Sequence, residues 1–224
     1  MRRVAVGDIH GEAHLLAAFV AWLATQEQPL ELIFLGDYVG KGPDSSEVIS
    51  ELIRLSRTYD SIFLMGNHDY NFLTAIRNVN ADALLTNDAA PIIRSYINTL
   101  EPTTATWRDA LFSQIPEDHV HSLEKLDLSY EDDGYLYCHA GIDPQHPEAR
   151  DINSVVLTSH PEIFQQVEPQ PGRRLVCGHY IQRGKLPFVS GYVVCLDTGA
   201  GSVEGAPLTA MFMDTLEYVQ FWRS

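Results

Sequence analysis

Little in this 224-residue chain points to a membrane, a thiol framework or a polyanion. No apolar run approaches the ~20 residues that cross a bilayer, so neither a membrane span nor a membrane partner is expected. Basic residues are scarce: 15 Lys and Arg against 30 Asp and Glu give a formal charge of −15. That balance argues against sequence-independent nucleic-acid binding, which needs Lys and Arg to neutralise phosphates. The 3 cysteines, Cys138, Cys177 and Cys195, are far apart, odd in number and set in apolar runs. They read as buried free thiols. Met1-Arg2-Arg3 leads directly into a strand-like run with no room for a signal peptide, so a cytoplasmic location is expected.

With 45% apolar and 20% charged residues, the composition is that of a globular chain, and its length suits one domain over residues 1–224. Short apolar runs end in polar, chemistry-bearing residues at five places. Val4-Ala5-Val6 leads into Gly7-Asp8-Ile9-His10-Gly11, and Leu32-Ile33-Phe34-Leu35 into Gly36-Asp37. Ile62-Phe63-Leu64-Met65 leads into Gly66-Asn67-His68-Asp69. Tyr135-Leu136-Tyr137-Cys138 leads into His139-Ala140-Gly141, and Leu175-Val176-Cys177 into Gly178-His179. In open α/β sheets, ligand sites lie at the carboxyl ends of strands. A lone Asp or His at a strand end is usually a turn residue, but five such segments in one chain point to a dinuclear metal site.

Two divalent ions ~3.5–4 Å apart need a bridging carboxylate and can clamp both oxygens of a displacement at phosphorus. Asp37 is the natural bridge, because it lies between the other ligand groups in the chain. Asp8 and His10 would hold the first ion with Asp37; Asn67, His139 and His179 would complete the second. This mixed O/N set suits manganese first, with iron, zinc, cobalt or nickel as alternatives, better than calcium. A hydroxide between the ions would be the nucleophile, since metal binding can lower a water's pKa to ~7.

In order, Asp-x-His-Gly, Gly-Asp-x-Val, Gly-Asn-His-Asp, His-Ala-Gly and Gly-His resemble the calcineurin-like metallophosphoesterases. The likeness is strongest to the phosphoprotein-phosphatase branch and its small bacterial serine/threonine members. It extends through Leu196-Asp197-Thr198-Gly199 and Leu208-Thr209-Ala210, which are similar to the family's closing strands. The resemblance implies an α/β four-layer sandwich, two central mixed sheets flanked by helices, with the six residues above as metal ligands. It also implies a phosphatase acting on phosphate monoesters of the Ser/Thr/Tyr type, with Asp37 and His68 catalytic and His68 helping to protonate the leaving oxygen. Lys41 and Asn67 are the candidate substrate contacts, and the implied partner is a phosphorylated protein or small molecule.

The chain also departs from the family pattern. Where the family carries Gly-Asp-x-Val-Asp-Arg-Gly, this chain reads Gly36-Asp37-Tyr38-Val39-Gly40-Lys41-Gly42. The family Arg binds phosphate through two parallel hydrogen bonds, whereas Lys41 offers a point charge. The family Asp pairs with the histidine that is His68 here, and Gly40 cannot. A second family Arg has no counterpart in Val155-Val156-Leu157-Thr158-Ser159-His160, so Arg150, Arg173, Arg174 and Arg183 are the candidate replacements. Gly42-Pro43-Asp44-Ser45 and Asp69 resemble the dinucleoside tetraphosphatases, so a dinucleoside polyphosphate hydrolase is the alternative activity. A metal-binding regulatory protein with weakened catalysis is the alternative class.

Other readings are excluded or ordinary. Cys177 and Arg183 share the C-x5-R spacing of cysteine-dependent phosphatases, but bulky Tyr180, Ile181 and Gln182 occupy the would-be phosphate loop. There is no Gly-x-Ser-x-Gly elbow, and Gly184-Lys185 is followed by Leu186 rather than the Ser or Thr of a Walker loop. Apolar spacing predicts helices over 12–26 and 44–57, a helical insertion over 70–126, and strands over 192–196, 208–213 and 218–222. His14, His119, His121, His146 and His160 are expected at the surface.

Overall fold

A computed structural model describes residues 2–79, 90–97, 107–132, 134–165 and 172–223. The chain opens with β1 (Arg2–Val6), α1 (Ala13–Leu23), β2 (Leu30–Phe34), α2 (Ser45–Thr58) and β3 (Asp60–Phe63). Helices α3 (Asn67–Arg77), α4 (Ala90–Ile97), α5 (Trp107–Gln114) and α6 (Glu117–Glu124) follow. Strands β4 (Ser129–Glu131), β5 (Tyr135–Cys138), β6 (Arg174–Cys177), β7 (Phe188–Val189), β8 (Val193–Cys195), β9 (Leu208–Phe212) and β10 (Tyr218–Phe221) complete the chain. They form two 5-stranded sheets, β10-β9-β1-β2-β3 and β4-β5-β6-β8-β7. Both sheets are mixed: β1, β2 and β3 run parallel, as do β5, β6 and β8, while β9, β10, β4 and β7 pair antiparallel.

Side chains alternate across each strand, so the strands feed two cores. Ala5, Ile33 and Met211 from the first sheet meet Tyr137, Val176 and Val194 from the second, with Leu35, Leu64 and Leu196 among them. Val4, Val6, Leu32 and Phe34 face the other way, toward the helices. Because both faces are covered, the central strands read as unbroken apolar runs rather than alternating ones. Helix α1 buries Leu15, Leu16, Phe19 and Leu23 along one stripe, with Phe19 edge-on to Phe34 at 5.9 Å and to Phe221 at 5.6 Å. Helix α2 buries Val48, Ile49, Leu52 and Leu55, and its Glu47 and Arg57 lie at the ends that the helix dipole favours. The second sheet's outer face is covered by short turns, a π-helical one at Asn153–Leu157 and a 3₁₀ one at Pro161–Phe164, burying Val155, Val156 and Ile163.

The fold class is as expected, and the differences are local. Strands β4 and β7 span 3 and 2 residues, too few for an alternating pattern to register in the sequence. The stretch expected to be a helical insertion contains α3 to α6 where it is described; residues 80–89 and 98–106 lie outside the described residues. Its two ends meet, because Leu64 bridges Asp127 and Met65 N donates to Asp127 O at 2.8 Å. Two histidines are not where they were expected. His119 is buried, with Nε2 3.0 Å from Ser50 Oγ and Nδ1 3.0 Å from Tyr96 OH. His160 is buried with Nε2 2.8 Å from Ser154 O, so both rings are satisfied core groups. The cysteines are free and buried, as expected. Among the described residues, no helix is long and apolar enough to cross a membrane.

Candidate metal centre

The chain just past the carboxyl ends of β1, β2, β3, β5 and β6 carries Asp8, Asp37, Asn67, His139 and His179. Asn67 differs from the others in standing within a helix, as the first residue of α3. Three site residues hold the left-handed backbone that non-glycine residues rarely adopt: His10 at φ 48°, Asp37 at φ 54° and His179 at φ 64°. Such positions cost ~1–3 kcal/mol each and persist where surrounding bonds over-determine them. Asp69 supplies those bonds around Asp37. Its carboxylate accepts from Asp37 N (2.8 Å), Tyr38 N (3.0 Å), Val39 N (3.1 Å) and Gly66 N (3.0 Å). Asp37 Oδ1 in turn accepts from His68 N at 2.9 Å, in the first turn of α3.

That leaves Asp37 Oδ2 at the centre of the site. It lies 3.6 Å from His10 Nε2 and 3.5 Å from His139 Nε2. On one side, Asp8 Oδ2 lies 3.9 Å from His10 Nε2. On the other, Asn67 Oδ1 lies 3.0 Å from both His139 Nε2 and His179 Nδ1, and those two nitrogens are 3.3 Å apart. Two ligand-competent groups therefore share Asp37: His10, Asp37 and His68, and Asp8, Asp37 and His139. The structure thus brings together all six expected ligands and adds the His68 ring to the His10 side.

The donor set fits cations. His139 Nδ1 is 2.9 Å from Leu35 O, an acceptor only, so that nitrogen carries a proton and Nε2 faces inward. His179 Nε2 meets Ser159 Oγ at 2.7 Å, which turns Nδ1 inward. The inward atoms are then carboxylate oxygens, an amide oxygen and ring nitrogens, a cluster of acceptors suited to a cation. Burial lowers the pKa of His10 to about 3 and of His179 to about 4, so both rings are neutral with a free lone pair. Burial opposes a charge on His139 too, but Asp37 and Asp8 outweigh it and lift its pKa to about 10. Asp37 stays below the usual carboxylate range despite burial, because His139 faces it. Burial, then Asp197, pushes Asp8 upward. Burial pushes Asp69 to about 7, with Asp37 beside it and the N–H donors opposing. A proton on His139 is the positive charge that settles this cluster when no cation does. A surface groove lined by Arg3, Tyr130, Asp132 and Tyr135 lies by the starts of β1 and β5, away from these groups.

The family model for calcineurin-like phosphoesterases matches residues 1–180. The chain belongs to this family. The family membership makes it a hydrolase. A relative in Anoxybacillus flavithermus, bis(5'-nucleosyl)-tetraphosphatase PrpE [asymmetrical], is 28% identical over 243 aligned residues, 96% of this chain and 91% of the relative. The serine/threonine-protein phosphatase PP2A-like PPG1 of Candida albicans is 29% identical over 154 residues, 67% of this chain but only 31% of that protein. Among solved structures, one provisionally assigned as a diadenosine tetraphosphatase superposes with a TM-score of 0.68 at 21% identity, covering 100% of this chain and 94% of that one. A cold-active protein tyrosine phosphatase superposes with a TM-score of 0.67 at 14% identity, covering 99% and 78%.

Within the family, the loop after Asp37 takes its own form here. Gly40 has φ 151°, and a Cβ built on it would overlap His10 Nδ1 and come within 3.4 Å of His68 Nδ1. His68 packs edge-on against His10, with ring centroids 4.7 Å apart, in place of the family's His–Asp pairing. Gly40→Asp is therefore expected to lower metal-dependent activity rather than improve it, and to cost ~1–3 kcal/mol of stability through overpacking. Urea unfolding beside a hydrolysis assay checks this, and a gain in turnover would contradict it. Lys41 Nζ donates to Ser202 Oγ at 3.1 Å, which holds the lysine against the loop that follows β8. Of the candidate replacement arginines, Arg150 pairs with Glu131 (2.8 Å), Arg173 with Glu131 (3.3 Å), and Arg174 donates to Gly191 O (3.0 Å). Arg183 is exposed and makes no ion pair among the described residues.

Proposed function

We propose that this chain hydrolyses phosphate monoesters with a dinuclear metal site at Asp8, His10, Asp37, Asn67, His139 and His179. The observation that carries the reading is the single oxygen, Asp37 Oδ2, within 3.6 Å of His10 Nε2 and 3.5 Å of His139 Nε2. A carboxylate held between two sets of lone pairs is suited to join two cations. Two divalent cations, manganese first among the candidates, would neutralise phosphate charge and activate a water at neutral pH. The chain's own residues do the rest. Asp69 fixes Asp37, Ser159 and Leu35 orient the histidines, Asn67 and Lys41 meet the phosphate, and His68 delivers a proton to the leaving oxygen. Three buried free thiols suit the reducing setting of a cytoplasmic enzyme.

A second reading, hydrolysis of dinucleoside polyphosphates, is favoured by one observation: the tetraphosphatase relative aligns over 96% of this chain and 91% of its own length. Protein stripped of metal and reloaded with Mn²⁺ is assayed on p-nitrophenyl phosphate and on diadenosine tetraphosphate. Rapid, Mn-dependent release from the first substrate is the expected result. Turnover of the second alone moves the assignment to nucleotide anhydrides. No turnover of either with two ions bound leaves a binding or regulatory role.

A further inference from the structure

The first and second sheets each contribute three parallel strands, and five of those six end in a residue of the proposed site. The sixth is β8, and it ends in Asp197. The two strand ends are level: Cys177 on β6 lies opposite Cys195 on β8, and His179 and Asp197 each follow two residues later. Asp197 is 1% exposed. Its Oδ1 accepts from Gly199 N at 2.9 Å, and its backbone O accepts from Gln182 N at 2.8 Å. Its Oδ2 is buried with no hydrogen-bond partner among the described residues, the one such side-chain atom found there.

An unpartnered carboxylate oxygen is among the costliest groups to bury, so it calls for a partner that these side chains do not supply. Lys41 makes no bond to it: its Nζ donates to Ser202 Oγ. The location indicates what does. Gly7, which precedes Asp8, packs so closely on Leu196 that a Cβ there would overlap Leu196 O. That contact sets Asp197 and Asp8, the next residues on, beside each other, and two buried carboxylates placed so raise each other's energy unless a cation stands near them.

We propose that Asp197 is a positioning carboxylate of the cation site beside Asp8, whose Oδ2 takes its partner from the hydration of that cation. This rests on the dinuclear reading above and adds a seventh residue to it. Groups that steady a metal's ligands typically govern affinity by 10–100-fold when removed. Asp197 therefore sets how tightly the ion held by Asp8 is kept, while the other ion is left nearly unchanged.

The test measures Mn²⁺ binding by equilibrium dialysis and by electron paramagnetic resonance of the spin-coupled pair, not turnover. Asp197→Asn keeps the shape and the acceptor for Gly199 N. It is expected to hold one Mn²⁺ as the parent does, to bind the second ~10–100-fold more weakly, and to lose the coupled signal at stoichiometric metal. Thr198→Val is the control, since it loosens the same turn by removing the bonds of Thr198 Oγ1 to Pro207 O (2.8 Å) and Thr209 Oγ1 (2.7 Å). Two ions bound by Asp197→Asn with parental affinity and coupling would overturn the proposal. So would an equal loss in Thr198→Val, which would assign the effect to turn geometry. Should Asp197→Asn fail to fold, Asp197→Ser is read the same way. A parent chain that binds fewer than two Mn²⁺ would instead overturn the dinuclear reading, and the inference with it.

Discussion

Asp37→Asn is expected to abolish metal-dependent phosphate release and to strip both ions from the protein. Losing a single preorganised electrostatic donor already costs ~10²–10³ in rate. Asp37 Oδ2 stands between His10 Nε2 at 3.6 Å and His139 Nε2 at 3.5 Å, so its removal strikes both sides of the site together. A fall of at least ~10³-fold in kcat/KM is the expected size, on the same grounds. The amide cannot substitute, because an NH₂ group facing two ring lone pairs binds them in place of a cation. Elemental analysis of metal per chain, run beside the assay, separates lost ions from lost chemistry. Two ions retained in Asp37→Asn would show that the aspartate does not bridge them.

The largest stability effect is expected at Asp69, which touches no proposed ligand through its own metal chemistry. Its carboxylate satisfies Asp37 N, Tyr38 N, Val39 N and Gly66 N, all of them buried groups. Each buried N–H left without an acceptor costs ~1–3 kcal/mol, with part recovered by relaxation. Asp69→Ala is therefore expected to destabilise the chain by about 4 kcal/mol, at the upper end for a point substitution. It also frees Asp37 from its φ of 54°, so metal affinity falls with stability. Equilibrium unfolding in urea, with and without Mn²⁺, reads both effects. A loss under ~1 kcal/mol, the ordinary size for a point substitution, would mean that the turn at Asp37 is held by something else.

Much of the site was legible before any coordinates, because its residues sit in short motifs at the ends of apolar runs. The sequence reading makes Asp37 the shared residue from its place in the chain; in space the two groups around it divide differently, His10 with His68 and Asp8 with His139. Less was legible where roles depend on packing. Asp69 reads as a family variant in sequence, yet in space it organises the Asp37 turn. Gly40 reads as the loss of a catalytic partner, whereas the structure adds a steric reason: the His10 ring occupies the place of any Cβ. His119 carries no local sign of burial, since its partners Ser50 and Tyr96 come from other parts of the chain; His160 is held by the nearby Ser154 O, in a turn whose burial only the packed sheet reveals. Asp197 was visible only as part of a closing strand. Its unpaired oxygen is a property of three dimensions, and no spacing in the sequence encodes it.

The bridge between Leu64 and Asp127 bears on how this protein can diverge. Closing a longer loop costs little: each doubling of length adds only ~0.6 kcal/mol of entropy. A segment that departs and returns at one paired position can lengthen, shorten or be traded for another without moving the strands on either side. Beyond α3, which carries Asn67 and His68, the helices before β4 are such a segment. Changes in the length of these helices and their loops leave the strand ends, and the residues they carry, anchored by the same pairing.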